Sequence, residues 1–106
     1  MTGIPEFDLS TQLDNGQAVV SIRGELDVET APELKQVLAG LIDGGPGHIT
    51  IDLAGVEFID SSGIHALVTS LKRAQEHDRK LELRSPGPST YKVLEIVGLA
   101  EVFPIT

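Results

Sequence analysis

The segment Asp60-Ser61-Ser62-Gly63 combines residue types that could do chemistry at the start of a helix. It lies between an apolar stretch that favours a strand and an amphipathic stretch that favours a helix. A serine hydroxyl at such a position either caps the helix by accepting a backbone N–H, or carries a phosphate that the exposed N–H groups stabilise. Serine, aspartate and glycine are also common in ordinary strand-to-helix turns. The residues alone leave both interpretations open.

Other groups of residues are weaker candidates for a functional site. The glycine-rich stretch Gly44-Gly45-Pro46-Gly47 lacks a following Lys-Ser or Lys-Thr and precedes a strand, unlike a phosphate-binding loop. A catalytic triad built on Asp60 and Ser61 would lack the Gly-x-Ser-x-Gly sequence, and a small domain has little room for a substrate pocket. The histidines do not share a helix face at metal-binding spacing and are predicted to be ordinary exposed side chains: His48, His65 and His77. We therefore expect no catalysis, no metal and no cofactor.

Length and composition limit the class of protein. A chain of 106 residues with 41% hydrophobic residues is long enough for one domain with one core. The 16 acidic residues outnumber the 8 basic ones, giving a net charge of −8. Direct binding to nucleic acid requires clustered Lys and Arg, so this balance argues against it.

The sequence also predicts where the protein is found. The chain has no cysteine, which fits a reducing compartment. It has no apolar run long enough to cross a membrane, and residues 1–5 lack the features of a signal peptide. We expect a cytoplasmic protein without membrane contact, with residues 1–106 forming one domain and an ordered core from about residue 7.

The N-terminal half shows a hairpin followed by alternating helices and strands. Two alternating apolar-polar segments flank Asp14-Asn15-Gly16, and an Asn-Gly pair predicts a tight β-hairpin because both residues tolerate positive φ. Apolar residues then recur at helical spacing after Thr30 and after Ser62. Thr30 and Glu33 have the spacing of a capping box for the first helix, and Gly44-Gly45-Pro46 is expected to end it.

The remaining segments complete the order β-β-α-β-α-β-α-β. A short helix is predicted around Tyr91 and Leu94, and a last strand from Val102, Phe103 and Ile105. Strands that alternate with helices are joined by right-handed parallel crossovers, whereas the first pair is antiparallel. Several strands alternate apolar with polar residues, so we expect an α/β domain with a mixed sheet and helices mainly on one face.

The whole chain from about Phe7 onward resembles the STAS domain of bacterial anti-sigma factor antagonists. The resemblance is carried by the order of the elements and by two motifs in the expected order. The first motif is Gly24-Glu25-Leu26-Asp27 followed by Thr30-Ala31, and the second is Asp52-Leu53-Ala54-Gly55-Val56-Glu57-Phe58-Ile59-Asp60-Ser61-Ser62-Gly63. The implied fold is a STAS-like single domain.

The resemblance implies a protein that changes partners when it is phosphorylated. In this family the unphosphorylated antagonist binds an anti-sigma factor, and the sigma factor is thereby released for transcription, as in a stress response. The anti-sigma factor is typically a serine kinase of the histidine-kinase-like ATPase fold. It would phosphorylate Ser61, and a separate serine phosphatase would reverse this. The residues implied to border the docking surface are Asp27, Asp60, Ser62 and Gly63.

The same resemblance leaves other functions open. STAS domains also occur in stressosomes, in anion transporters and in lipid-transport complexes. A second hypothesis is therefore a scaffold subunit of a stressosome or lipid-transport complex, without sigma-factor control, in which Ser61 is never phosphorylated. A nucleotide-binding protein is a third hypothesis, although no phosphate-binding loop supports it. Copurification of a regulatory kinase, a transporter ATPase or bound nucleotide would distinguish these hypotheses.

Overall fold

The computed structural model describes residues 7–106 and contains a four-stranded mixed sheet with three α-helices. Residues 1–5, which the sequence predicts not to be a signal peptide, lie outside the described residues. The elements are β1 Asp8–Asp14, β2 Gln17–Leu26, α1 Ala31–Gly44, β3 His48–Ile59, α2 Ser61–Glu76, β4 Lys80–Arg84 and α3 Pro88–Ile96, followed by a 3₁₀ helix at Leu99–Glu101.

The strands lie in the order β1-β2-β3-β4. The first pair is antiparallel, and the pairs β2/β3 and β3/β4 are parallel, as the sequence predicts. Asn15 and Gly16 form the two-residue turn with φ values of 51° and 78°, which confirms the predicted hairpin. Because β2 and β3 run in the same direction, the chain segments that follow them meet at one edge of the sheet.

One face of the sheet carries the core, and helices cover it. Strand β2 alternates buried and more exposed residues along its length, and α1 and α2 each turn a buried stripe toward the sheet. Strand β1 contributes little, since Leu13 is exposed and Leu9 is the one residue of the strand that is partly buried. The largest fully buried side chains are Ile22, Leu26, Leu34, Leu38, Ile42, Ile49, Ile51, Leu53, Leu67, Leu83, Leu94 and Val20.

The other face of the sheet is polar and partly exposed. The His48 imidazole lies 2.5 Å from a carboxylate oxygen of Glu82, and Arg84 lies 3.2 Å from Asp52. Both contacts join β3 to β4. The prediction that all three histidines are ordinary exposed residues is therefore wrong for His48, which is partly buried in this polar contact.

Two local predictions are corrected. The predicted last strand is only a single bridge between Leu83 and Ile105. Pro104 has no N–H to donate, and the N–H groups of Val102 and Phe103 donate to the Leu99 carbonyl instead of to a strand. The predicted capping box of Thr30 and Glu33 is absent among the described residues, where Thr30 makes no side-chain cap for α1. Its hydroxyl instead accepts the N–H of Asp27 in the preceding loop and donates to the carbonyl of Glu25 near the end of β2.

Candidate functional site

The candidate site lies where β2 and β3 end side by side. Leu26 and Ile59 are register partners and are the last residues of the two strands. The Asp60 N–H continues this pairing by donating to the Leu26 carbonyl at 3.2 Å. The register therefore brings Asp27 and Asp60, which follow the two strands directly, to the same edge of the sheet.

Asp60 is the residue that caps α2. Its backbone is extended, with φ −115° and ψ −168°, and one carboxylate oxygen accepts the N–H groups of Ser62 and Gly63 at 2.8 and 3.2 Å. These are two of the backbone donors that a helix leaves unpaired at its start. A carboxylate at this position also interacts favourably with the helix dipole. The capping role that the sequence left open for a serine thus belongs to the aspartate.

Ser61 is the first residue of α2, and its side chain is exposed. Within residues 7–106 neither the Ser61 nor the Ser62 hydroxyl takes part in a hydrogen bond, but Ser62 is partly buried whereas Ser61 is exposed. Because the Asp60 carboxylate already caps α2, the Ser61 hydroxyl is not needed for a capping hydrogen bond. Of the two serines, Ser61 is therefore the one whose hydroxyl is open to a modifying enzyme.

Asp27 organises the loop between β2 and α1. Its carboxylate accepts the N–H groups of Glu29 and Thr30 at 3.0 and 3.2 Å, and its own N–H donates to the Thr30 hydroxyl at 2.9 Å. That hydroxyl donates in turn to the Glu25 carbonyl at 2.7 Å. These bonds hold the loop in one conformation at the site, so Asp27 is partly buried and structural as well as close to the exposed surface.

Gly63 allows α2 to approach β2 closely. It is buried, and a Cβ atom at this position would lie 2.7 Å from the Leu26 carbonyl oxygen and 2.8 Å from Cγ1 of Ile59. Real Cβ atoms do not approach backbone oxygens this closely, so a side chain would push the helix start away from the strand. The glycine sets the position of the whole Asp60-to-Gly63 turn.

The sequence does not single out two apolar side chains that stand exposed near this turn. Val28 is 68% exposed in the loop after β2, and Phe58 is 50% exposed two residues before Asp60. The register of β2 and β3 shifts between Gly24 and Glu25, which turns Phe58 outward where simple alternation with Val56 would bury it. The two side chains lie in separate places, since Val28 lines the depression beside Ser61 and Phe58 lies beside Thr90 and Val93 of α3.

A depression of about 380 Å³ lies beside Ser61, between α1 and α2. The side contributed by α1 and its preceding loop includes Val28, Pro32 and Lys35, and the side contributed by α2 includes Ser61 and His65. The sequence predicts His65 to be an ordinary exposed side chain and does not single out Lys35. Lys35 lies one turn into α1. Its place in the sequence does not show that it lies on the side of α1 next to α2, because that depends on how the two helices pack.

The described part of the chain contains neither a cluster of metal-ligating side chains nor a helix that could span a membrane. No group of three His, Cys, Asp or Glu side chains is placed to hold a metal ion within residues 7–106. In the same range no helix combines the length and the hydropathy needed to cross a bilayer.

Comparison with known proteins identifies the family. Residues 8–106 match the model of the STAS domain. The anti-sigma-B factor antagonist of Staphylococcus aureus is 33% identical over 86 residues, which is 81% of this chain and 80% of that protein.

Solved structures share the fold. An anti-sigma factor antagonist from Mycobacterium paratuberculosis superposes with a TM-score of 0.85 at 29% identity, covering 94% of this chain and 85% of that one. A sulfate transporter family protein from Wolinella succinogenes superposes with a TM-score of 0.75 at 25% identity, covering 86% of this chain and 74% of that one. The family match, together with the sequence relative, establishes that this chain belongs to the STAS domain family.

Proposed function

We propose that this protein is an anti-sigma factor antagonist controlled by phosphorylation of Ser61. In the unphosphorylated state it binds an anti-sigma factor and so frees a sigma factor for transcription. The anti-sigma factor is a serine kinase of the histidine-kinase-like ATPase fold, and a serine phosphatase restores the unphosphorylated state. The protein acts as a substrate and binding partner in the cytoplasm, without catalysis, cofactor or direct nucleic-acid contact of its own.

The observation that carries this proposal is the division of roles between Asp60 and Ser61. Asp60 caps α2 with its carboxylate, and Ser61 holds an exposed hydroxyl at the same helix start. Modification of Ser61 therefore removes no cap. The sequence relative from Staphylococcus aureus, named an anti-sigma-B factor antagonist, supports the same role.

Phosphorylation changes the surface that a partner would contact. The transfer forms a bond between the Ser61 oxygen and the γ-phosphorus of ATP, breaks the bond to the ADP oxygen and releases the hydroxyl proton. The new group adds about −1.5 to −2 charges at neutral pH. These charges lie near Asp27 and Asp60 and beside the exposed apolar groups of Val28 and Pro32, which line the same depression as Ser61. A partner that binds the apolar groups would then have to desolvate a phosphate, which is costly.

Phosphopeptide mass spectrometry on the protein incubated with ATP and its cognate anti-sigma factor tests the modification. We expect phosphate on Ser61 in the parent protein and in the matched control Ser62→Ala, and none in Ser61→Ala. Phosphate on Ser62 with Ser61 unmodified would contradict the assignment.

Titration calorimetry with the same anti-sigma factor tests the switch. We expect Ser61→Ala to bind as the unmodified protein does, because Ser61 makes no side-chain bond in the described structure, and Ser61→Glu to bind at least tenfold more weakly, which is about 1.4 kcal/mol. Equal affinities for both variants would contradict control through charge at this position. Copurification of a transporter ATPase or a stressosome, with no anti-sigma factor bound, would instead favour the scaffold function.

A further inference from the structure

The depression beside Ser61 contains one side chain with a permanent positive charge. Lys35 of α1 lines the same depression of about 380 Å³ that Ser61 lines from α2. The chain carries a net charge of −8, so a cation next to the proposed phosphorylation site is not explained by general composition. His65 lines the depression as well and adds positive charge only when its ring is protonated.

Within residues 7–106, Lys35 forms no ion pair and no side-chain hydrogen bond that would occupy its ammonium group. The ion pairs of residues 7–106 use His48, Arg73, His77 and Arg84, and none uses Lys35. The side chain is partly buried, so its stem packs against the protein while its charged end remains available. A lysine in this state is suited to bind a phosphate, which it contacts as a point charge.

We propose that Lys35 binds the phosphoryl group carried by Ser61 and holds it in the depression between α1 and α2. This inference rests on the proposed phosphorylation of Ser61 and adds the residue that receives the phosphate. Phosphorylation then acts on the partner in two ways, because it adds negative charge and also fills a depression that the unmodified surface leaves open. Lys35 is a positioning residue for the phosphate and takes no part in its transfer.

The charges around Ser61 determine how strongly a phosphate on this residue is attracted to Lys35. Asp60 and Asp27 lie at the same edge of the sheet and oppose an added phosphate, whereas the dipole of α2 and the Lys35 ammonium favour it. Since Lys35 is only partly buried, its attraction for the phosphate is that of a surface ion pair. Such an attraction lowers the second pKa of the phosphate, because it favours the dianion over the monoanion.

The test uses the full chain with phosphoserine placed at position 61 by genetic code expansion, so that no kinase is needed. A ³¹P NMR titration at low ionic strength measures the second pKa of the phosphate. We expect this pKa to be higher by about 0.2 to 0.7 in Lys35→Gln than in the parent phosphoprotein. Raising the salt concentration should reduce the difference, because salt screens exposed charge pairs.

Lys72→Gln is the matched control, since it removes the same charge from an exposed position further along α2. The titration is repeated in a His65→Gln background, so that protonation of the imidazole does not contribute. An unchanged phosphate pKa in Lys35→Gln, or an equal rise in Lys72→Gln, would overturn the inference about Lys35. Failure of the proposed function is seen separately, as absence of Ser61 phosphorylation or of anti-sigma factor binding in the assays described above.

Discussion

A Cβ atom on Gly63 would lie 2.7 Å from the carbonyl oxygen of Leu26, so the first turn of α2 is packed against the end of β2 as closely as a glycine permits. The same carbonyl accepts the N–H of Asp60 at 3.2 Å. The Leu26 carbonyl therefore contacts both ends of the turn that carries Ser61, at Asp60 through a hydrogen bond and at Gly63 through close packing. The position of the candidate phosphorylation site depends on this contact together with the Asp60 cap.

The first prediction concerns Gly63→Ala. The added methyl group would meet backbone and side-chain atoms that cannot move without shifting α2, and overpacking of this kind costs about 1–3 kcal/mol. We expect a loss of this size in the free energy of unfolding in urea, together with weaker binding to the anti-sigma factor.

The matched control for this prediction is Gly40→Ala in α1. A Cβ atom on Gly40 would meet no atom within 4 Å, and alanine is a better helix former than glycine by up to about 1 kcal/mol. We therefore expect Gly40→Ala to leave the free energy of unfolding unchanged or to raise it. If Gly63→Ala unfolds at the same urea concentration as Gly40→Ala, the close packing of α2 on β2 is not a constraint on the site.

The second prediction separates the cap from the charge of Asp60. Asp60→Ala removes the acceptor for the N–H groups of Ser62 and Gly63, and loss of an N-cap costs about 0.5–2 kcal/mol. Asp60→Asn keeps an oxygen acceptor in the same place, and asparagine is about as good an N-cap as aspartate. Urea unfolding should therefore show a loss of stability in the alanine variant and little change in the asparagine variant. Equal losses in both variants would show that the charge and not the cap stabilises α2.

The element order and the site turn follow from the sequence, while the register of the strands does not. Alternation in β2, helical spacing in α1 and α2, and the Asn15-Gly16 turn each depend on neighbouring residues, which the sequence displays directly. Buried positions in β3 follow alternation only as far as Leu53 and then continue at Val56 and Ile59. Two register shifts against β2 cause these breaks, and such shifts depend on the partner strand.

Within the candidate site, the sequence indicates Asp27 and the Asp60-to-Gly63 turn but not how the roles are divided. It leaves capping open for a serine, and the extended backbone of Asp60 together with its carboxylate hydrogen bonds assigns the cap to the aspartate. Thr30 and Glu33 had the spacing of a capping box, but the Asp27 loop uses the Thr30 hydroxyl instead. Competition between local hydrogen bonds of this kind is decided by the path of the chain, which is a tertiary property.

The third prediction concerns the pH dependence of stability. The Arg73 guanidinium donates to both carboxylate oxygens of Asp43, at 2.8 and 2.5 Å, and these hydrogen bonds hold the pKa of Asp43 below its ordinary value of 3.8. A carboxyl whose pKa is lowered by folding stabilises the folded state above its unfolded pKa, and this contribution is lost as the pH falls through the folded pKa. The contact therefore joins α1 to α2 at neutral pH and weakens in acid.

NMR titration of the Asp43 carboxyl measures this effect. We expect the pKa of Asp43 to rise in Arg73→Gln and to stay unchanged in the neighbouring control Lys72→Gln. In urea unfolding, the difference in stability between the parent and Asp43→Asn should be largest near neutral pH and should disappear at the acid end of the titration. An Asp43 pKa that is the same in the parent and in Arg73→Gln would contradict this account.

The last prediction is that phosphorylation of Ser61 leaves the fold unchanged. The phosphate would sit at the first position of α2, where the helix dipole favours an anion by about 0.3–1 kcal/mol, and the nearby acidic residues Asp27 and Asp60 oppose it. Because these effects are small and of opposite sign, we expect Tm to change by less than about 5 °C. Amide chemical shifts should change around Asp60 to Ile64 and near Lys35, and should stay constant in β1 and β4, which lie away from the site. A large fall in Tm, or shift changes that extend through the sheet, would mean that the switch acts by changing the conformation of the domain, and Ser61 would then have a structural role that its exposed hydroxyl does not indicate.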